Sequence, residues 1–141
     1  MRTRTNVGRI LGLDVGERRI GLAISTPEGR LAVPLRVLER RGDAADTEVI
    51  AALTREERAE ALVIGHPLSM DGSAGAQARR VEAFARLVAK ATGLPYQLWD
   101  ERLTSVQAER AVRALRGRRR ASDDVTAAII LQSYLDRQQQ A

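Results

Sequence analysis

Residues 7–38 read VGRILGLDVGERRIGLAISTPEGRLAVPLRVL. Val7–Leu13 is a short apolar run with two glycines, which predicts a buried strand. It stops at Asp14-Val15-Gly16, a turn signal. Arg19–Ser25 predicts a second strand and Pro27-Glu28-Gly29 a second turn. Arg30–Leu38 alternates as a third strand. Three strands joined by tight turns make an antiparallel meander.

Beyond the meander the pattern changes. Asp43–Arg58 has helical spacing in Val49, Ile50 and Leu53, with Asp43 placed to cap it. Ala61–Gly65 is an apolar strand ended by Pro67, and Ser69–Gly75 is a flexible loop. A long helix is predicted from Ser73 to Thr92, with Val81, Phe84, Ala85 and Val88 on one face. Gly93 and Pro95 stop it. Tyr96–Trp99 is a fifth strand, Thr104–Leu115 a helix and Ser122–Gln139 the last helix. Arg116–Ala121 is polar and glycine-broken and reads as mobile; residues 1–6 and 138–141 are expected to fray. The order β-β-β-α-β-α-β-α-α predicts an α/β fold, a five-stranded mixed sheet with helices on both faces. That is the ribonuclease H-like layout.

The chain's 141 residues and 15.5 kDa fit one domain, residues 1–141. Cysteine is absent, which excludes disulfides, thiolate zinc sites and a cysteine nucleophile. A single histidine, His66, excludes multi-histidine metal sites. The absence of cysteine fits a reducing cytoplasm. The basic start, MRTRTNVGR, is followed by no signal-like apolar core, and no run approaches the ~18 apolar residues of a membrane span. Aromatic residues are 3% of the chain, too few for stacking on several rings to be the main way of holding nucleic acid.

Three acidic positions stand apart from the solvated helix faces. Asp14 ends an apolar strand between Gly12 and Gly16, where the chain stays open enough for a bulky anion; an Asp there also starts turns. Asp100-Glu101 closes the fifth strand, and by alternation its two side chains point to opposite faces, so only one can join Asp14. Asp123-Asp124 opens the last helix, where acids also favour the helix dipole. Helical steps from Asp123 reach Ala127, Ile130, Leu131 and Tyr134, all on a packing face. The same steps from Asp124 meet Gln132, so Asp123 is favoured to point inward, with Asp124 as the alternate. Three converging carboxylates without His or Cys make a hard-cation site, suited to Mg²⁺. Two such ions ~3.5–4 Å apart activate a water and stabilise a leaving oxygen at a phosphodiester. Without cations, three close carboxylates repel one another and a phosphate.

At these residues the sequence resembles a known family. ILGLDVGERRIGLAI, VIGHPLSMDGSAG, WDERLTS and DDVTAAIILQSYLD are similar to the successive motifs of the YqgF/RuvX family, from Arg9 to Asp136. Its members are bacterial proteins described as Holliday junction resolvases and as nucleases that mature the 5′ end of pre-16S ribosomal RNA. The resemblance implies a ribonuclease H-like nuclease dependent on Mg²⁺ or Mn²⁺, with two ions. Carried over by motif, its catalytic and metal-holding acids fall on Asp14, Glu101 and Asp123. A junction resolvase also needs two sites at a fixed separation, which a homodimer supplies. Where the family reads GLP, this chain has Gly65-His66-Pro67; His66 is either a tolerated substitution or a group near the site.

The charge is unevenly spread. Of 23 basic residues only Lys90 is lysine, and the formal net charge is +5. Residues 102–120 hold seven arginines against Glu109, a local +6, and leave the rest of the chain at −1. Arg19 and Arg102 are candidates for steadying substrate phosphates. Arg113, Arg116, Arg118, Arg119 and Arg120 suit backbone contacts to nucleic acid, which position a substrate without reading its sequence. Two other readings compete: an actin-like nucleotide phosphotransferase, from Asp14-Val15-Gly16 and Gly21, and a non-catalytic binding protein in ribosome assembly.

Overall fold

A computed structural model describes residues 8–116 and 122–140, with Arg116 and Gln140 described in the backbone alone. The expected fraying at residues 1–6 and most of the expected mobile stretch 116–121, with Arg118, Arg119 and Arg120, lie outside the described residues. The elements are β1 (Arg9–Val15), β2 (Arg19–Ser25), β3 (Ala32–Glu39), α1 (Asp43–Glu57), β4 (Ala59–His66), α2 (Ala76–Thr92), β5 (Tyr96–Asp100), a 3₁₀ turn (Glu101–Leu103), α3 (Val106–Arg116) and α4 (Asp123–Gln140). The described chain forms the expected five-stranded mixed sheet, in the order β3-β2-β1-β4-β5. β1, β2 and β3 pair antiparallel as the meander requires, while β4 and β5 run parallel to β1.

Strand alternation divides the core in two. Leu11, Leu13 and Val15 of β1 pack with Ile50 and Leu53 of α1 and with Val81, Phe84 and Val88 of α2. Ile10, Ala23, Val63 and Trp99 turn to the other face, against Val112 of α3 and Ala127, Ile130 and Leu131 of α4. Helices thus cover both faces, as a largely buried central strand demands.

Boundaries differ where local turns intervene. α2 starts at Ala76 rather than Ser73, because Asp71 accepts from the Ser73 N–H at 2.9 Å and Gly72 sits at φ +88°. α3 starts at Val106 rather than Thr104, because Glu101–Leu103 make a 3₁₀ turn first. β4 begins at Ala59, immediately after Arg58 closes α1 in the left-handed conformation. β3 holds Pro34 because it is an edge strand with a register shift beside it.

Two polar anchors lock the periphery. Gln132 interrupts the apolar face of α4 yet is buried: its Oε1 accepts from Ala32 N at 2.8 Å, and its Nε2 donates to Arg30 O at 3.0 Å. It fixes the start of the edge strand. Arg40, at the end of β3, donates to Asp46 at 3.1 Å, Asp43 at 2.7 Å and Gly16 O at 3.1 Å, and lies 4.7 Å over the Phe84 ring. Asp46 is buried, so this pairing offsets a desolvation cost that a lone carboxylate would carry in full. Among the described residues no helix is long and apolar enough to cross a membrane.

Candidate metal centre and strand groove

The register sets Asp14 on the α4 face of β1, opposite Gly21 of β2. Gly12 lies on the same face, and so does Gly65, two residues beyond Val63, the β4 partner of Gly12. These three glycines let α4 lie close on the sheet. A Cβ at Gly12 would come within 3.0 Å of the Leu131 Cβ, and one at Gly21 would overlap the Asp123 backbone carbonyl. The first turn of α4 is therefore pressed onto β2, beside Asp14.

Glu101 enters from the other side. It follows β5 and opens the 3₁₀ turn, and its Oε2 lies 2.6 Å from where a Gly65 Cβ would stand. The missing side chain is the cradle for the carboxylate. Asp100 points to the opposite face and is taken up by Arg102, which donates from its backbone N at 2.9 Å and from Nη2 at 2.6 Å. Arg102 also donates to Met70 O at 3.1 Å, so it ties the 3₁₀ turn to the loop before α2.

Asp123 and Asp124 separate as the helical wheel suggests. Asp123 Oδ2 accepts from Arg19 Nε at 2.8 Å. The Asp124 carboxylate instead meets the Ser122 hydroxyl and the Val125 N–H at the start of the helix. Arg113 pairs with Glu109 one turn back at 3.0 Å. Of Arg116 only the backbone is described. His66, at the end of β4, holds Glu82 of α2 at 2.7 Å through Nε2.

Burial, with the negative charges of Glu101 and Asp123 beside it, pushes the Asp14 carboxyl up to about 7. Burial also pushes Glu101 upward. The Arg102 guanidinium holds Asp100 below the usual range. Asp14 makes no ion pair or side-chain hydrogen bond among the described residues. As it stands, no group of three His, Cys, Asp or Glu among the described residues is gathered tightly enough to hold an ion. The Asp14 carboxyl lies close enough to Glu101 and Asp123 to feel both charges; it shares a cavity with Asp123, which is tied to Arg19. An oxygen-only donor set with an unpaired, half-buried carboxylate fits a hard divalent cation.

This arrangement makes metal-free stability depend on pH. Asp14 keeps its proton in the fold to about 7, whereas the unfolded chain releases it near the ordinary value of 3.8. Between those pH values the fold binds more protons, so stability falls as pH rises. The ceiling is about 4 kcal/mol, at about 1.36 kcal/mol per decade. Urea denaturation in chelator is expected to show roughly 2.7 kcal/mol of this loss from pH 5 to pH 8, and Asp14→Asn is expected to flatten it. An unflattened profile in that variant would assign the loss elsewhere.

Sequence reasoning overlooked Arg18, Gln77 and Arg80, which line the cavity in front of Asp14 and Asp123. Their positions on a turn and an ordinary helix face carry no local signal. It also left Gly65 without a role, although a glycine at the end of an apolar strand marks a close approach.

A relative from Anaeromyxobacter sp. (strain Fw109-5), named "Putative pre-16S rRNA nuclease", is 47% identical over 135 residues, spanning 91% of this chain and 96% of the relative. One of the same name from Moorella thermoacetica is 47% identical over 133 residues, spanning 92% and 95%. Among solved structures, T. thermophilus RuvC in complex with Holliday junction substrate superposes with a TM-score of 0.68 at 16% identity, covering 93% of this chain and 96% of that one. That likeness establishes the ribonuclease H-like fold. The family model described as RuvX, Holliday junction resolvase, matches residues 8–137, the span that carries β1, the 3₁₀ turn and α4 with their three acids, and the chain belongs to that family.

Proposed function

We propose that this chain is a divalent-metal-dependent nuclease that hydrolyses phosphodiester bonds. The observation that carries the reading is the half-buried Asp14 carboxylate, unpaired and flanked by Glu101 and Asp123. Carboxylate oxygens of Asp14 and Glu101 would hold Mg²⁺ or Mn²⁺, in one or two ions, with Asp123 completing the set. The bound cation supplies Lewis-acid polarisation of a phosphate and an acidified water at neutral pH.

The chain's own groups do the rest. The seat at Gly65 fixes Glu101, so its carboxylate need not be ordered when substrate arrives. Arg19 Nε holds the Asp123 carboxylate beside Asp14 and brings a cationic donor to the place where a phosphate would lie. In the sequence, Arg113, Arg116, Arg118, Arg119 and Arg120 add further positive charge just ahead of α4.

Pre-16S ribosomal RNA, trimmed at its 5′ end, is the favoured substrate, because the curated relatives at 40–47% identity carry that name. Holliday junction cleavage is the second reading, from the family description and the RuvC likeness in fold, and it needs a homodimer. The deciding test is a cleavage panel of pre-rRNA leader, single-stranded RNA and DNA, and a four-way junction, each with Mg²⁺ or Mn²⁺. Metal-dependent cleavage of the leader, by a protein monomeric in solution, is expected. Paired incisions in the junction would favour the second substrate. A protein inert throughout, with either metal, would overturn the nuclease reading in favour of a non-catalytic role in ribosome assembly.

A further inference from the structure

Two cavities adjoin the carboxylates on the side away from α3. The first, about 490 Å³, opens on Asp14 and Asp123 and is walled by Arg18, Arg19 and Arg80. The second, about 380 Å³, runs inward to Arg40, Val81 and Phe84. They share Gly16, Glu17, Gln77 and Arg80, so they form one groove between the β1–β2 turn and α2. Each has the size of a small-molecule site. A smaller cavity of about 220 Å³ is lined by Glu101, Thr104 and Glu109, with no arginine among the described residues.

We propose that this groove seats the substrate strand next to the scissile phosphate, with Arg18 and Arg80 as contacts to its backbone phosphates. The inference rests on the nuclease reading and adds the path of the strand to it. The groove begins at the acids and leads away from them, so a strand with a phosphate at Asp14 has its neighbouring nucleotide there. Arg18 is exposed, lines the groove mouth and makes no ion pair among the described residues, so its guanidinium is available to a phosphate. Arg80 is held at the rim by Gln77 at 2.9 Å and by Glu17 at 3.3 Å, and Gln77 is itself anchored to Val15 O at 3.1 Å. That chain of bonds aims the guanidinium over the groove before anything binds. The inner wall is equally fixed, because Arg40 is tied to Gly16 O and lies over Phe84. The two volumes suit a nucleotide-sized group, as a single strand presents.

The test uses fluorescence anisotropy of a labelled single-stranded RNA oligonucleotide, in the Asp14→Asn background so that the probe survives. The slope of log affinity against log salt falls by about 0.7 for each single-strand phosphate that the protein no longer neutralises. Arg18→Ala/Arg80→Ala is expected to flatten the slope by about 1 to 1.4 and weaken binding at least tenfold at low salt. Arg36→Ala/Arg41→Ala removes the same charge at a separate cavity between β3 and α1 and is expected to leave the slope unchanged. All four arginines are exposed, so thermal melts should match the parent. Equal effects of the two pairs would reduce the groove to general charge, and an unchanged slope in the first pair would overturn it. Neither outcome touches the nuclease reading, which the cleavage panel decides on the unaltered protein.

Discussion

Asp14→Asn is expected to abolish cleavage, by on the order of a thousandfold or more, while leaving nucleic-acid binding nearly intact. The substitution is close to isosteric and removes the charge at the one acid that lies between the other two. Losing a ligand of this kind forfeits the several kcal/mol that a held cation contributes at a phosphodiester. A thousandfold corresponds to about 4 kcal/mol, at about 1.36 kcal/mol per tenfold. Binding survives because the arginine walls of the groove are untouched. The fold survives too, since a neutral amide carries neither the burial cost of a charge nor the repulsion that together push the Asp14 carboxyl up to about 7. Single-turnover cleavage with Mn²⁺, alongside anisotropy on the same RNA, separates the two effects. Cleavage at the parent rate would remove Asp14 from the chemistry.

Gly21→Ala is expected to destabilise the protein by roughly 3 kcal/mol, at the upper end of overpacking costs. The added Cβ would overlap the backbone carbonyl of Asp123 and come within 2.9 Å of the Asp124 N. Backbone cannot rotate away as a side-chain end can, so α4 must lift from β2 or β2 must bend. For a chain of this size the melting temperature should drop by roughly 10 °C. Because the lifted segment is the first turn of α4, Asp123 leaves Asp14 and cleavage should fall with stability. Gly75→Ala is the matched control: a Cβ there meets nothing within 4 Å, and its φ of −84° is ordinary. Thermal denaturation of both variants decides the matter, and a Gly21→Ala protein that melts with the parent would show that α4 is not tightly seated on β2.

Much of the centre is legible in the sequence alone. The meander of residues 7–38 fixes the face on which Asp14 stands, because alternation leaves a strand residue no choice of side. The same rule divides Asp100 from Glu101, and the helical period favours Asp123 over Asp124. Other assignments could not be made that way. Arg102, a candidate for phosphate contact from its place beside Glu101, gives its bonds to Asp100 and Met70 O. Gln132 breaks an apolar face in one dimension, yet in three it meets the unpaired start of β3. Both depend on partners distant in sequence or on which way a turn closes.

The sequence by itself determined the element order and the mixed sheet and singled out the three acids as candidates, because strand and helix periods are local properties read along one chain. Only the tertiary structure decided how close those acids come and what stands around them. Gly21 and Gly65 look like ordinary strand glycines until α4 and Glu101 are packed against them. The pairing of Arg19 with Asp123 spans 104 residues, and the groove joins a turn to a helix about 60 residues away. Contacts of that kind are set by the close packing of helix on sheet, which no local pattern encodes.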